Sequence, residues 1–299
     1  MTLHFTADRG DARLRLDQVL TRRVREVSGM SRARAQSWIK AGLVSVGETP
    51  AARPSIRVRE GAEIHVTLPR ACRVREQPQP EPVPLEVLYE DEHLRAVNKP
   101  AGMVVHPSYR NTRGTLLNGV LWHVRERAAV RPGLVSRLDK NTSGIVVVAL
   151  APGIHERIQR DGRAGQILKQ YLAIVRGLPR PRENVIALPL RHDPADRRRM
   201  AVGDATTGAP SETRYRVLAE KDGCALVLCE LVTGRTHQIR VHMSACGWPL
   251  VGDGVYGRDP ASRQALHAWR VTLPHPVTRV QIDLEAPIPP DFGAERFET

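Results

Sequence analysis

Residues Val135 to Ala149 read VSRLDKNTSGIVVVA, a short polar loop carrying one arginine and one acid that runs straight into an apolar stretch. Ile145 to Leu150 is an unbroken aliphatic run between Gly144 and Pro152, the pattern of a strand covered on both faces. A loop anchored to such a strand is held rigidly, and Arg137 and Asp139, two positions apart, point the same way if the loop is extended. A charged pair beside a core strand is either satisfied locally or exposed in a cleft. Taken alone, the segment fits an ordinary turn as well as it fits a site.

The chain on either side gives this strand a setting. Upstream, Leu85 to Tyr89 and Leu94 to Val97 read as short strands, and Asn98-Lys-Pro-Ala-Gly102 as a turn that Pro100 and Gly102 suffice to explain. Thr115 to Val124 is expected as a helix with Leu116, Leu117, Val120, Leu121 and Val124 on one face, packed behind the Asp139 loop. Downstream, Pro152 to Gln159 begins a helix. Ile167 to Val175 is a strand placing Lys169 and Tyr171 on one face, where a tyrosine is ordinarily core. Asp196-Arg-Arg-Arg199 is a basic loop, a contact for a polyanion or, nearly as well, a solvated turn. Thr213 to Ala219 and Ala225 to Leu231 form a hairpin, after which Thr236 is expected to cap a helix through His237, Arg240, His242 and Met243 that stops at Gly247. His237 and Arg240 then share a face. A single histidine with no second ligand at metal spacing is more often a hydrogen-bonded structural residue. Leu266 to Phe292 supplies closing strands with Pro-rich turns.

Before residue 70 the pattern is separate. Leu14, Leu16, Val19, Leu20 and Val24 recur at near-helical spacing. Ser31 caps a second short helix ending near Lys40, and Leu43 to Val46 and Ile64 to Leu68 are strands. The helices carry Arg22, Arg23, Arg25, Arg32, Arg34 and Lys40, a face that in most proteins is merely solvated. Pro78, Pro80, Pro82 and Pro84 then alternate with other residues and mark 70–84 as an extended linker. The division is therefore 11–69, linker 70–84, and a large domain over 85–293.

A length of 299 residues with 41% hydrophobic composition is enough for a good core in one large and one small domain. The net charge of +13 favours a polyanionic partner. The first residues lack a signal-peptide core, and no run approaches the roughly 18 apolar residues of a membrane span; a soluble intracellular protein is expected. Cys72, Cys224, Cys229 and Cys246 show no C-x-x-C spacing, so buried free thiols are expected rather than a zinc site or disulfides.

The pattern R-L-D-x-x-T-S-G at Arg137 to Gly144 resembles the signature of the RluA-type RNA pseudouridine synthases. Three further segments match in order: Asn98 to His106, Lys169-Gln-Tyr171, and Gly234-Arg-Thr-His-Gln-Ile-Arg-Val-His242, with Leu266-His-Ala also fitting. The resemblance covers roughly residues 80 to 293, and 11–69 looks like an S4-type RNA-binding module. It implies an α+β fold with a catalytic domain on a mixed, largely antiparallel sheet. It implies Asp139 as the catalytic carboxylate, Arg240 as its ionic partner, Tyr171 against the target base with a further role in proton removal, and Arg137 as the side chain filling the place of a flipped base, with Lys169 also facing RNA. Arg22, Arg32, Arg34 and Lys40 become RNA contacts of the S4-like module. The family usually has histidine where this chain has Ser136.

Moving a uracil from N1 to C5 attachment gains and loses no atom, so neither an organic cofactor nor a metal is expected. The expected protein is a cytoplasmic monomer acting on RNA, with large-subunit (23S) ribosomal RNA the first substrate and tRNA the alternative. A noncatalytic RNA-binding or ribosome-assembly factor is the reading from another class, opposed by the intact Arg137, Asp139, Tyr171 and Arg240. A nucleoside hydrolase would want a second acid or a metal to activate water, and none accompanies Asp139 in the motif.

Overall fold

The computed structural model describes residues 2–24, 30–68, 78–108, 111–127, 130–196, 198–257 and 263–297. The chain divides into two compact units, Met1–Gln77 and Pro78–Thr299.

The first unit runs β1 (Thr2–Thr6), α1 (Leu16–Arg23), α2 (Arg32–Lys40), β2 (Val44–Val46), β3 (Thr49–Pro50) and β4 (Glu63–Thr67), with its strands in the order β1-β4-β2-β3. Leu16, Val19 and Leu20 of α1 and Ala35 and Ile39 of α2 are buried in one core with Val44, Ile64 and Val66. The Ser31 side chain accepts from the Arg34 N–H and caps α2 as its position suggested. The sequence announced neither the two-residue β3 nor β1. Strand β1 lies ahead of residue 11 and pairs antiparallel with β4 along its whole length. Arg25 and the 70–77 part of the expected linker lie outside the described residues.

The remainder of that linker is not a free spacer. Asn118 donates to the Gln79 carbonyl at 2.7 Å, the Glu81 N–H donates to the Asn118 carbonyl, and the Glu81 carboxylate accepts from the Gly114 N–H. Proline removes donors from this stretch, yet its carbonyls and remaining N–H groups still find partners on the second unit.

The second unit continues β5 (Glu86–Glu90), β6 (Leu94–Lys99), α3 (Leu116–His123), β7 (Gly133–Leu134), β8 (Ser143–Ala149), α4 (Pro152–Arg163), β9 (Leu168–Arg176), β10 (Glu183–Ile186), β11 (Leu190–His192), β12 (Met200–Val202), β13 (Thr213–Lys221), β14 (Cys224–Leu231), α5 (Gln238–Ala245), β15 (Leu266–Pro274) and β16 (Gln281–Glu285). Its main sheet has the order β10-β13-β14-β9-β15-β8-β6-β5, with β16 added to β15 and β7 to β8. The pairing of β15 with β8 is parallel and the other described pairings in this sheet are antiparallel, so the α+β expectation of a mixed, largely antiparallel sheet holds. No described helix is long and apolar enough to cross a membrane.

Every residue of β8 is buried. Val146 and Val148 belong to the cluster that includes Leu116 and Val120 of α3, while Ile145 and Val147 join Ile158 of α4. Successive side chains of a strand point to opposite faces, so a sheet covered by a helix on each side selects an unbroken aliphatic run. Each fully buried Val or Ile contributes about 1.5 to 3 kcal/mol, which fixes the strand that carries the Asp139 loop. Gly144 has φ +109°, and a Cβ there would lie 2.2 Å from the Ala268 carbonyl oxygen, so glycine is what lets β8 and β15 approach in parallel.

Candidate active site

The loop before β8 presents Asp139 from one side and α5 presents Arg240 from the other. Arg240 Nη1 donates to Asp139 Oδ2 at 2.8 Å. The same guanidinium makes a fork to Asp253, Nε to Oδ2 at 2.7 Å and Nη2 to Oδ1 at 2.9 Å. Side-chain exposure is 6% for Arg240 and 1% for Asp253 but 24% for Asp139, so one carboxylate clamps the arginine from within and the other faces the open side. Burial acts to lower the Arg240 pKa, but the hydrogen-bonded Asp253 and the charge of Asp139 outweigh it and hold the group above the usual arginine value. Burial likewise acts to raise Asp253, and Arg240 together with the N–H groups of Val255 and Tyr256 brings it below the usual range.

Helix α5 starts differently from the expectation. Its N-cap is His237, in the left-handed region with φ 56°, and not Thr236. The Gln238 side chain occupies the turn instead, its oxygen accepting from the Arg235 N–H at 2.9 Å and from the Thr233 hydroxyl at 2.9 Å. That geometry brings His237 Nε2 to 3.7 Å from Asp139 Oδ1. His237 Nδ1 lies 2.8 Å from the Tyr256 hydroxyl, which accepts from the Met200 N–H of β12 at 2.9 Å. The guanidinium of Arg240 stands 5.0 Å over the Tyr256 ring.

Tyr171 on β9 is buried in the main core cluster, as a strand tyrosine is expected to be. Burial raises its phenol pKa and the charge of Asp139 raises it further, which puts the two side chains in one electrostatic neighbourhood. The Tyr171 hydroxyl makes no hydrogen bond with a described residue, uncommon for a buried tyrosine and suited to a group that faces a substrate. Lys169, two positions earlier, is half-buried without an ion pair to a described residue, and burial lowers its pKa. Arg137 is exposed and makes no bond with a described residue. Ser136 is half-buried, and its side chain makes no hydrogen bond with a described residue.

Sequence reading passed over Lys99. It is the last residue of β6 rather than part of a turn, it is fully buried, and its ammonium donates to the carbonyls of Pro100 at 2.8 Å, Met103 at 3.0 Å and Lys140 at 3.0 Å. The Lys140 carbonyl also accepts from the Gly102 N–H. The Asn98 to Gly102 segment therefore splints the residue next to Asp139. Burial lowers the Lys99 pKa to about 7, the nearby Arg263 adds to the drop and Asp139 opposes it. Within β6, Leu94-Arg-Ala-Val-Asn-Lys99, it is one of three polar residues and nothing local sets it apart. Asp253 and Tyr256 were passed over too, since nothing local marks them as partners of α5.

The basic face of the first unit is partly occupied with holding its own helices. Asp17, fully buried, accepts from Arg15, Arg32 and Gln36, and Asp11 from Arg22 and Arg23. Arg22 and Arg32 keep 52% and 53% side-chain exposure, enough to reach outward as well. Arg34 stands 5.4 Å over the Trp38 ring, and Lys40 is exposed at the end of α2. Arg198 pairs with Asp196, Arg199 lies over Tyr256, and Arg197 is outside the described residues. Cys229 is the buried thiol of the expectation, its pKa pushed up to about 12. Cys224 and Cys246 are only half-buried, and Cys72 is outside the described residues. No described group of three or more His, Cys, Asp or Glu residues is arranged to hold a metal ion.

Two family models match parts of the chain. Residues 93–245 match the family model of RNA pseudouridylate synthase and residues 14–64 that of the S4 domain. The chain is 40% identical to ribosomal large subunit pseudouridine synthase D of Nitrosomonas europaea over 98% of its own length and 86% of that protein. It is 37% identical to the uncharacterized RNA pseudouridine synthase YlyB of Bacillus subtilis, over 88% of each. Among solved structures, human RNA pseudouridylate synthase domain containing 1 aligns with a TM-score of 0.59 and 26% identity over 72% of this chain and 88% of that one.

Proposed function

Since the chain belongs to the RNA pseudouridylate synthase family, in its RluA-type branch with an N-terminal S4 domain, we propose that its substrate is the RNA of the large ribosomal subunit and that Asp139 is the reacting carboxylate. The supporting observation is the placement of Asp139: a carboxylate on a rigid loop, one oxygen on a buried arginine at 2.8 Å and the other open, beside a buried tyrosine whose hydroxyl has no described partner. The enzyme isomerises uridine to pseudouridine. The bond from C1′ to N1 breaks, the uracil turns, and C5 bonds to C1′ while the C5 hydrogen leaves and N1 takes up a proton.

In this reading the target base leaves its stack and Arg137, exposed and unpaired among the described residues, takes its place. Tyr171 lies against the base, and its hydroxyl assists proton removal. Asp139 serves C1′ as nucleophile, or takes the 2′ hydrogen. Arg240 donates to one of its oxygens at 2.8 Å and so fixes the direction in which the other points. Lys169 and the exposed basic residues of the first unit, Arg22, Arg32, Arg34 and Lys40, meet phosphate, which positions the RNA without reading its bases. The protein works as a cytoplasmic monomer without metal or organic cofactor.

The test is to incubate the protein with large-subunit ribosomal RNA and with tRNA and to map pseudouridine in each. New pseudouridine in the ribosomal RNA supports the proposal. Modification of tRNA alone transfers the substrate to tRNA, absence of product in either supports a binding role, and release of free uracil supports hydrolysis.

A further inference from the structure

Both oxygens of Asp139 are addressed from one short segment, residues 253–256. Asp253 forks the Arg240 guanidinium, whose remaining Nη1 reaches Asp139 Oδ2. Tyr256, whose own N–H is held by Asp253 Oδ1 at 3.1 Å, sets the ring of His237, whose Nε2 looks at Asp139 Oδ1. The first arm uses charge. The second depends on where a proton sits.

That proton can be placed by following donors. The Met200 N–H is a fixed donor and gives its hydrogen to the Tyr256 oxygen. The Tyr256 hydroxyl hydrogen then has one described acceptor, His237 Nδ1, at 2.8 Å. Burial lowers the His237 pKa, outweighing the Asp139 charge that would raise it, so the ring is neutral at neutral pH and carries a single N–H. With Nδ1 accepting, that N–H is on Nε2 and faces Asp139 Oδ1. At 3.7 Å it limits rotation of the carboxylate without forming a full hydrogen bond that would blunt the free oxygen.

We propose that His237, with its tautomer set by Tyr256 and the β12 backbone, is a positioning residue for the reaction: it holds the open oxygen of Asp139 in the plane from which it reacts. The inference rests on Asp139 as the reacting carboxylate. His237 acts through Asp139, whose open oxygen its Nε2 approaches to 3.7 Å.

The left-handed backbone at His237 gives a test that separates this role from a merely structural one. At positive φ, Asn and Gly are favoured over Gln. The Gln side-chain amide reaches the place of Nε2–H, whereas Asn reaches only the place of Nδ1 and Gly reaches neither. His237→Gln, His237→Asn, His237→Gly and Tyr256→Phe are made in the full chain. Turnover and KM on ribosomal RNA are measured beside thermal unfolding, and the ¹⁵N shifts of His237 report the tautomer.

His237→Asn and His237→Gly are expected to lose up to about 100-fold in kcat with little change in KM, the scale of a small displacement of a reacting group. His237→Gln is expected to keep most activity despite being the less stable protein. Tyr256→Phe is expected to show mixed His237 tautomers and intermediate turnover. An activity order that follows the stability order, or a wild-type His237 protonated at Nδ1, overturns the proposal. Asp139→Asn, run alongside, keeps the two readings apart: if it remains active, the role of Asp139 itself fails, and if it is inactive while the His237 series follows stability, the proposal for His237 fails alone.

Discussion

At the scale of single residues, Asp139 and Arg240 do different things and their removal should be told apart. Asp139→Asn keeps the shape of the carboxylate but supplies neither charge nor nucleophilic oxygen, so pseudouridine formation is expected to vanish while RNA affinity stays close to wild type. Tritium release from labelled ribosomal RNA run beside filter binding measures both, and repeated turnover by that variant would refute the role. Arg240→Ala is expected to be inactive and also to lose about 3 to 5 kcal/mol of stability in denaturant titrations, because it strands the buried Asp253. Two separate motifs, one around Asp139 and one over Gly234 to His242, named the two members of the pair. Neither could name Asp253, Tyr256 or Lys99, because their importance lies in what they meet in space: Asp253 meets Arg240 from thirteen positions away, and Lys99 meets a carbonyl forty-one positions downstream. A local pattern carries no trace of such meetings. The expected Thr236 cap failed for a related reason, the Gln238 side chain having already satisfied the turn.

Among elements, β8, α3, β9 and the β13–β14 hairpin were readable because each shows its own periodicity, and β8 announces double coverage by having no polar face. Strand β1, Thr2-Leu-His-Phe-Thr6, alternates polar and apolar residues and sets Leu3 and Phe5 on the core, but five residues at that period are a weak signal until the edge of β4 pairs with them. The register of β8 against β15 depends on Gly144, so Gly144→Ala is expected to cost about 3 kcal/mol or more, combining a disfavoured φ with a collision at the Ala268 carbonyl. Chemical denaturation checks this, and an unchanged midpoint would mean that the strands can part without consequence. Helices α1 and α2 are joined by Asp17. Burial acts to raise its pKa, but hydrogen bonds from Arg15, Gln36 and Arg32 hold it at about 2, below the ordinary 3.8. A depressed carboxylate contributes stability that is fully present above its unfolded value and is lost as pH falls through the folded one. Asp17→Asn is therefore expected to destabilise the first unit at neutral pH, with the difference from wild type shrinking between pH about 4 and about 2. Amide hydrogen exchange in α1 and α2 measures it, and a difference independent of pH would remove Asp17 from this role.

For the whole molecule, the two compact units predict that a protein beginning at Pro78 folds and binds ribosomal RNA more weakly than the full chain. Beginning at residue 85 instead should lower its melting temperature, since Gln79 and Glu81 are bonded to α3 and its approach. Thermal unfolding of both truncations, with filter binding, checks the pair, and equal melting temperatures would return 78–84 to the status of a spacer. The proline alternation suggested an extended linker, but extended backbone can lie on a surface as readily as span a gap. The parallel union of β8 with β15 has one more consequence, which concerns time. Ser143 bonds to His267 across 124 positions, and Gln264 to Thr142 across 122. A chain made from its N-terminus completes the S4 fold early, while the loop bearing Asp139 waits for β15 to be synthesised before its strand has both neighbours. A nascent chain of this protein is thus expected to complete its S4 domain well before the Asp139 loop is braced on both sides.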